Sequence, residues 1–249
     1  MAIGPKLKEA FSRYLRSCQK DQAVVNLTPS IFSEFLHVKQ SPEERETFVV
    51  LVLGRGNSED FQLKGYDIVA QAIAQLSGSY CLMFVGAPAG KEDEVAQKLL
   101  EHNISRSQLT VRCFNENREQ LAKLFCEVDL ATMPSRTEGF GLVALEALSA
   151  SLPVLVSGNS GLGEALKKVP FGSHWVVDSE NPQVWANAIK RVREKDRKIR
   201  LEEIKIVSEK YAKMFSWDEQ CELLVERMRN ITSGKFYMYM YVCHCEVFK

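Results

Sequence analysis

Between Phe48 and Arg193 the chain alternates short apolar runs with amphipathic stretches, and that alternation leaves few folds open. Phe48-Val49-Val50-Leu51-Val52-Leu53 is unbroken, rich in β-branched residues and stopped by Gly54. A strand buried on both faces reads this way. Residues 66–76 follow, with Ile68, Val69, Ala72, Ile73 and Leu76 spaced along one helical face. The same alternation predicts strands at 80–85, 109–114, 130–133, 153–156 and 174–177. It predicts helices at 92–100, 119–126, 142–150, 163–169 and 182–193. Strands alternating with helices join through right-handed crossovers into a parallel sheet. The expected fold is therefore α/β: a Rossmann-like, doubly wound parallel sheet of about six strands, with extra flanking helices. The strands end in glycine, proline or polar clusters, which places a ligand at the carboxyl edge of the sheet.

The flanks read differently. Residues 4–20 form one amphipathic helix pattern, with Leu7, Phe11, Tyr14 and Leu15 on a face. Residues 21–46 are a partly extended connector, and 200–230 are charged helices interrupted at Phe215-Ser216-Trp217. The tail from Lys235 is rich in Tyr, Met and Cys and has no evident place in the fold. Lys+Arg and Asp+Glu balance at 32 each, which lacks the basic excess of a nucleic-acid binder. No run approaches the ~18–20 apolar residues that span a bilayer. The N-terminus turns charged at once, with no apolar leader region. Seven scattered cysteines fit a reducing compartment. Cys243-His244-Cys245 supplies too few ligands for the four that a structural zinc site needs. The expectation is a cytoplasmic protein without a transmembrane segment and without a nucleic-acid partner.

The segment with the most chemistry is Ser135-Arg136-Thr137-Glu138-Gly139-Phe140-Gly141-Leu142-Val143-Ala144-Leu145-Glu146-Ala147, directly after the strand ending Thr132-Met133-Pro134. Two glycines let backbone approach a ligand closely. A helix starting near Gly141 or Leu142 offers free amides and a positive dipole end to an anion. Glu138 stands in the loop before that helix and Glu146 stands within it. Their separation of eight residues is a little over two helical turns, so both carboxylates can face one cleft. Carboxylates accept hydrogen bonds from sugar and ribose hydroxyls.

This segment resembles the E-x7-E motif of the retaining GT-B glycosyltransferases, the large family that includes sucrose-phosphate synthase and the phosphatidylinositol mannosyltransferases. The resemblance implies the C-terminal, nucleotide-sugar-binding domain of the GT-B fold. It implies that Glu138 holds hydroxyls of the donor sugar, that Glu146 holds the ribose, and that the amides of Gly139, Phe140, Gly141 and Leu142 touch sugar and phosphates. It also implies a UDP-, GDP- or ADP-sugar donor with no required metal or other cofactor. The strand end Arg112-Cys113-Phe114 lies where the family contacts the base, which makes Phe114 a candidate.

A second constellation is Gly54-Arg55-Gly56 after the first strand of the alternation, with Lys64-Gly65 opening the next helix. An Arg and a Lys converging on a departing nucleoside diphosphate would stabilise its charge, the role the resemblance implies for Arg55 and Lys64. The spacing departs from the family, because Asn57-Ser58-Glu59-Asp60 lengthens the loop and adds acid. Gly86-Ala87-Pro88 after the second strand, and Gly158 to Glu164 after the fifth, are further loop candidates, with Gly86 counted in the donor site. Gly86-Ala87-Pro88-Ala89-Gly90-Lys91 imitates a P-loop, but it is one residue short between glycines and has Glu92 where the metal-binding hydroxyl belongs. The dinucleotide fingerprint fails after Gly56.

The organisation expected is a remnant of an acceptor-domain end and linker at 1–46, the nucleotide-sugar domain with C-terminal helices at 47–230, and a tail at 231–249. The resemblance spans about residues 1–228 and leaves an N-terminal acceptor-binding domain outside the chain, so the chain alone is expected to transfer poorly. The alternative left open is a non-catalytic module that senses a nucleotide sugar or holds a partner within a larger protein.

Overall fold

A computed structural model describes residues 1–20, 24–56, 60–113 and 117–232. The sequence candidates Phe114 and Cys243-His244-Cys245 lie outside the described residues. β1 (Ala2–Ile3) and β2 (Asn26–Leu27) pair in parallel around α1 (Pro5–Ser17), forming a small crossover unit of their own. The main body is β3 (Phe48–Leu53), α2 (Tyr66–Ala74), β4 (Tyr80–Ala87), α3 (Glu92–Leu100), β5 (Leu109–Cys113), α4 (Arg118–Glu127), β6 (Leu130–Met133), α5 (Leu142–Ser149), β7 (Val154–Ser157), α6 (Gly161–Leu166), β8 (Val176–Val177) and α7 (Pro182–Arg193). α8 (Arg197–Met214) and α9 (Trp217–Thr232) follow. None of the helices among the described residues is long and apolar enough to cross a membrane.

The six strands β3 to β8 form one parallel sheet in the order β5-β4-β3-β6-β7-β8. The chain winds outward from β3 to β5, returns to the centre, and winds the other way from β6 to β8. β3 and β6 are therefore paired neighbours at the point where the winding reverses, which is where a crevice opens at the carboxyl ends of the strands. The continuous apolar run of β3 is buried at Val50, Leu51 and Val52, as helices on both sheet faces require. Ile68, Val69, Ala72 and Ile73 of α2 are buried in the same core, where the helix lies against β4 and α7.

One predicted strand changes character. Residues 172–175 form a 3-10 turn, and only Val176–Val177 pair with β7. Phe171 precedes this turn in the left-handed region at φ 68. Gly172 packs so closely on the Leu166 carbonyl that a Cβ would overlap it. The α6 helix thus forces the chain to turn before it can extend. Helix ends also moved by a residue or two: α6 starts at Gly161, where Ser160 caps it by accepting from the Gly163 amide at 2.9 Å.

At the amino edge of the sheet a buried ion cluster ties connector, sheet and α8 together. Asp129 is wholly buried and accepts from the Val49 amide at 2.8 Å and from Arg45 at 3.1 Å. Arg197, also buried, ion-pairs with the same carboxylate, and buried Arg200 lies 3.7 Å from it. Arg200 also takes Glu44 in a two-pronged pair, at 2.6 and 2.9 Å. The C-terminal helices return to the N-terminal unit: Tyr211 donates to the Pro29 carbonyl at 2.8 Å, and Gln220 brackets the Thr28 backbone at 2.7 and 2.9 Å.

Candidate functional site

The loops after β3 and β6 meet at the crevice. Gly65, left-handed at φ 69, starts α2 and lies so tightly on the Pro134 carbonyl that any side chain would collide. The Arg136 amide donates to the Leu63 carbonyl at 2.9 Å. These contacts bring Lys64 and Glu138, far apart in sequence, into an ion pair of 2.6 Å. The other Glu138 oxygen accepts from the Gly139 amide at 3.1 Å. The Glu138 amide bonds the Asn159 carbonyl, 3.2 Å away, so backbone as well as side chain fixes this residue.

Arg136, three residues beyond the end of β6, locks the two loops. Its guanidinium grips both oxygens of Asp67 at 2.8 Å, reaches the Gln62 carbonyl and meets Glu180 at 3.2 Å. The paired carboxylate of Asp67 holds the arginine further toward its charged form. Arg136→Ala is expected to cost about 1–2 kcal/mol, as loss of a charge-assisted bidentate pair. Thermal melting of the two proteins checks this; an unchanged midpoint would mean that the clamp does not hold the loops.

α4 and α7 carry Asn caps, from Asn117 and Asn181. α5 starts at Gly141, left-handed at φ 101, and like α1, α2, α3 and α8 it has no side-chain cap. A Cβ on Gly141 would overlap the Met133 thioether end, so only glycine fits. Among the described residues, no acceptor takes the amides of Phe140, Gly141 or Leu142. The positive end of α5 therefore faces the crevice unfilled. The Phe140 ring does not face it. It is buried against Gly4 and Gly161, while its carbonyl accepts from the Leu162 amide at 2.8 Å. The N-terminal unit closes over the loop here: Lys6 donates to the Asn159 carbonyl, and Leu7 touches Gly139.

Glu146 sits half-buried on α5, and burial pushes its carboxyl above the usual range. The neighbouring Arg118 opposes that shift and Glu34 adds to it; these two form an ion pair between α4 and the connector. Arg55 is exposed and makes no hydrogen bond or ion pair with another described residue. The structure thus joins Lys64 to Glu138 and leaves Arg55 on the solvent side. Gly54 and Gly56 spend their amides on Val85 and Gly86 carbonyls at 3.1 and 2.9 Å, and Gly86 packs on the Gly54 carbonyl with no room for a side chain. These three glycines supply close packing and open space, not amide donors from Gly54 and Gly56.

Sequence reasoning missed a cavity of about 280 Å³ at the carboxyl ends of β3, β4 and β5. Leu53, Val85, Leu121 and Leu124 form apolar parts of its lining, and Arg112 and Cys113 form its edge. Arg112 pairs there with Glu127 at 2.6 Å. Leu121 and Leu124 are a helix's inward face, and nothing in the sequence marks such a face as the wall of a hollow.

Solved structures share this architecture. Sucrose-phosphate synthase from Thermosynechococcus elongatus superposes with a TM-score of 0.70 at 22% identity, over 94% of this chain and 58% of that one. HepE from Anabaena, solved in complex with UDP and glucose, has a TM-score of 0.70 at 19% identity, over 92% and 62%. The C-terminal domain of the group 1 glycosyl transferase LpcC from Francisella tularensis is covered over 98% of its length, with a TM-score of 0.55. The fold is thus that of the GT-B glycosyltransferases. The chain belongs to the family described as Family 4 Glycosyltransferase in conflict systems, which matches residues 1–224. Among curated relatives, the D-inositol 3-phosphate glycosyltransferase of Corynebacterium urealyticum is 31% identical over 184 residues, 68% of this chain and 41% of the relative. That of Mycobacterium marinum is 30% identical over 202 residues, 78% of this chain and 41% of the relative. The chain spans about two fifths of the length of these relatives.

Proposed function

We propose that the crevice between β3 and β6 binds a nucleoside-diphospho-sugar, and that the chain is the donor half of a retaining hexosyltransferase. The observation that carries this reading is the Lys64–Glu138 pair, 2.6 Å apart, set against the uncapped start of α5. A diphosphate arriving there meets the free amides of α5 and the Lys64 ammonium. Arg55, on the neighbouring loop, adds a second cation as negative charge grows on the leaving group. Glu138 accepts from the sugar hydroxyls, Glu146 accepts from the ribose, and the base enters the cavity edged by Arg112 and Cys113. None of these roles calls on a metal.

Transfer also needs an acceptor held against the donor. We assign that task to an acceptor-binding domain outside this chain, with residues 1–46 as its end and linker and 47–230 as the donor domain. The same reading puts the protein in the cytoplasm, where nucleotide sugars are at hand. UDP, seen with HepE, is the first diphosphate to test. Calorimetric titration of UDP, GDP and ADP into the 249-residue chain should give saturable binding for one of them. Lys64→Met should weaken it by about tenfold or more, the loss of one charge-assisted contact. Silence across the three, or binding indifferent to Lys64, would sink the proposal.

A further inference from the structure

We propose that Lys6 is a positioning residue for Glu138. Its ammonium reaches from the N-terminal unit to the carbonyl that the Glu138 amide bonds, and so ties the first helix of the chain to the carboxylate assigned to the donor sugar. This rests on the donor-site reading above and extends it to a residue that no motif marks.

Glu138 lies in the loop between β6 and α5. Two backbone bonds join its stretch to the loop after β7 and the start of α6. The Glu138 amide donates to the Asn159 carbonyl at 3.2 Å, and the Leu162 amide donates to the Phe140 carbonyl at 2.8 Å. The Asn159 peptide is held from its other side, since its amide donates to the Ser157 hydroxyl at 3.1 Å. Lys6 donates to the same Asn159 carbonyl. One oxygen thus accepts from the lysine and from Glu138 together. Hydrogen bonds from a charged donor are the strong ones, so the ammonium decides where that oxygen stands and where the Glu138 backbone follows. The side-chain end of Glu138 is held by Lys64 at 2.6 Å and by the Gly139 amide at 3.1 Å.

The neighbours of Lys6 act on the same stretch. Gly4 seats the Phe140 ring so closely that a Cβ would overlap it, and Leu7 touches Gly139. The N-terminal unit therefore reaches the loop at 138, 139 and 140. Lys6 stands in the first turn of α1, where a cation opposes the helix dipole. The helix gains nothing from it there, and the carbonyl it reaches accounts for it. In the donor-site reading residues 1–46 end the acceptor-binding domain, so Lys6 carries movement on the acceptor side to the carboxylate that takes the sugar.

The test uses Lys6→Met and Lys6→Arg in the whole chain. Amide hydrogen exchange by NMR, without ligand, reads the Glu138 bond directly. In Lys6→Met the Glu138 amide should exchange about tenfold faster, as for loss of one charge-assisted bond. The Val49 amide, bonded to Asp129 far from this loop, should not change, and Lys6→Arg should restore the parent rate. UDP, GDP and ADP, each beside its glucose ester, are then titrated into all three proteins. In Lys6→Met the factor by which glucose improves binding should shrink about fivefold, a modest coupling between sites. Affinity for the bare diphosphate should hold. Glu138 exchange within about twofold of the parent would overturn the proposal. Equal acceleration at Glu138 and Val49 would overturn it too, since the effect would then act through the whole fold. If the parent binds no diphosphate, or gains nothing from glucose, the donor-site reading is what fails, and the exchange rates alone decide whether Lys6 positions Glu138.

Discussion

Asp129→Ala is expected to destabilise the folded chain by about 3–5 kcal/mol, the range for removing one partner of a buried ion pair. The carboxylate is the counter-charge of two arginines that are themselves buried, Arg197 and Arg200, and of the half-exposed Arg45. It is also the acceptor for the Val49 amide at 2.8 Å, which opens the central strand β3. Burial draws the Arg197 guanidinium below its ordinary value while Asp129 opposes that pull. Without Asp129, two buried cations face each other with only Glu44 to pair one of them. Asp129→Asn keeps an acceptor for Val49 and should fall between parent and alanine variant. Urea unfolding followed by circular dichroism separates the three. An alanine variant within about 1 kcal/mol of the parent would show that water or rearrangement satisfies the arginines, contrary to the cost expected for stranded charges.

The second large effect concerns Glu146, and it runs in opposite directions for binding and stability. A carboxylate accepting from two ribose hydroxyls should contribute about 1.5–3 kcal/mol for each charged hydrogen bond. Glu146→Gln should therefore weaken nucleoside-diphosphate binding by about a hundredfold. In the ligand-free chain the sign reverses. Burial raises the Glu146 carboxyl above its ordinary value, so the folded state holds this proton more tightly than the unfolded chain does. The resulting stability is fully present below the unfolded value, about 4.3. It is lost as pH rises through the folded one. Glutamine carries no such charge, so the variant should melt higher than the parent near pH 8, and the gap should close as pH approaches about 4. Melting curves across that range, paired with calorimetry, check both halves. A variant that melts lower than the parent at pH 8 would contradict the burial argument.

These two residues lay unequally within reach of the sequence. Glu146 was visible because a helix and a glycine-bracketed loop put it at a set distance from Glu138. Asp129 sits between a helix and a strand with nothing to distinguish it from a solvated turn residue. Its partners stand at 45, 197 and 200, and no periodicity links them. Arg136 was hidden for the same reason. It looks like an ordinary loop residue, and what sets it apart is a contact with a loop on another strand.

Local pattern determined the element types and the fold class. A strand covered on both faces must be apolar throughout, and a helix laid on that sheet must be apolar every third or fourth residue. Those needs are met within a few neighbours, so β3, β6, α3 and α7 carry their identities openly. Packing decided the rest. The 174–177 segment reads as a strand, but α6 crowds Gly172 and turns it. Arg55 and Lys64 read as a converging pair. In the fold, the tight seat of Gly65 on Pro134 and the Arg136 clamp deliver Lys64 to Glu138, while Arg55 stays in solvent. Such pairings depend on which loops the sheet order brings side by side. Sheet order is set by the burial of the whole core, a sum over residues far apart in the chain that no short window of sequence contains.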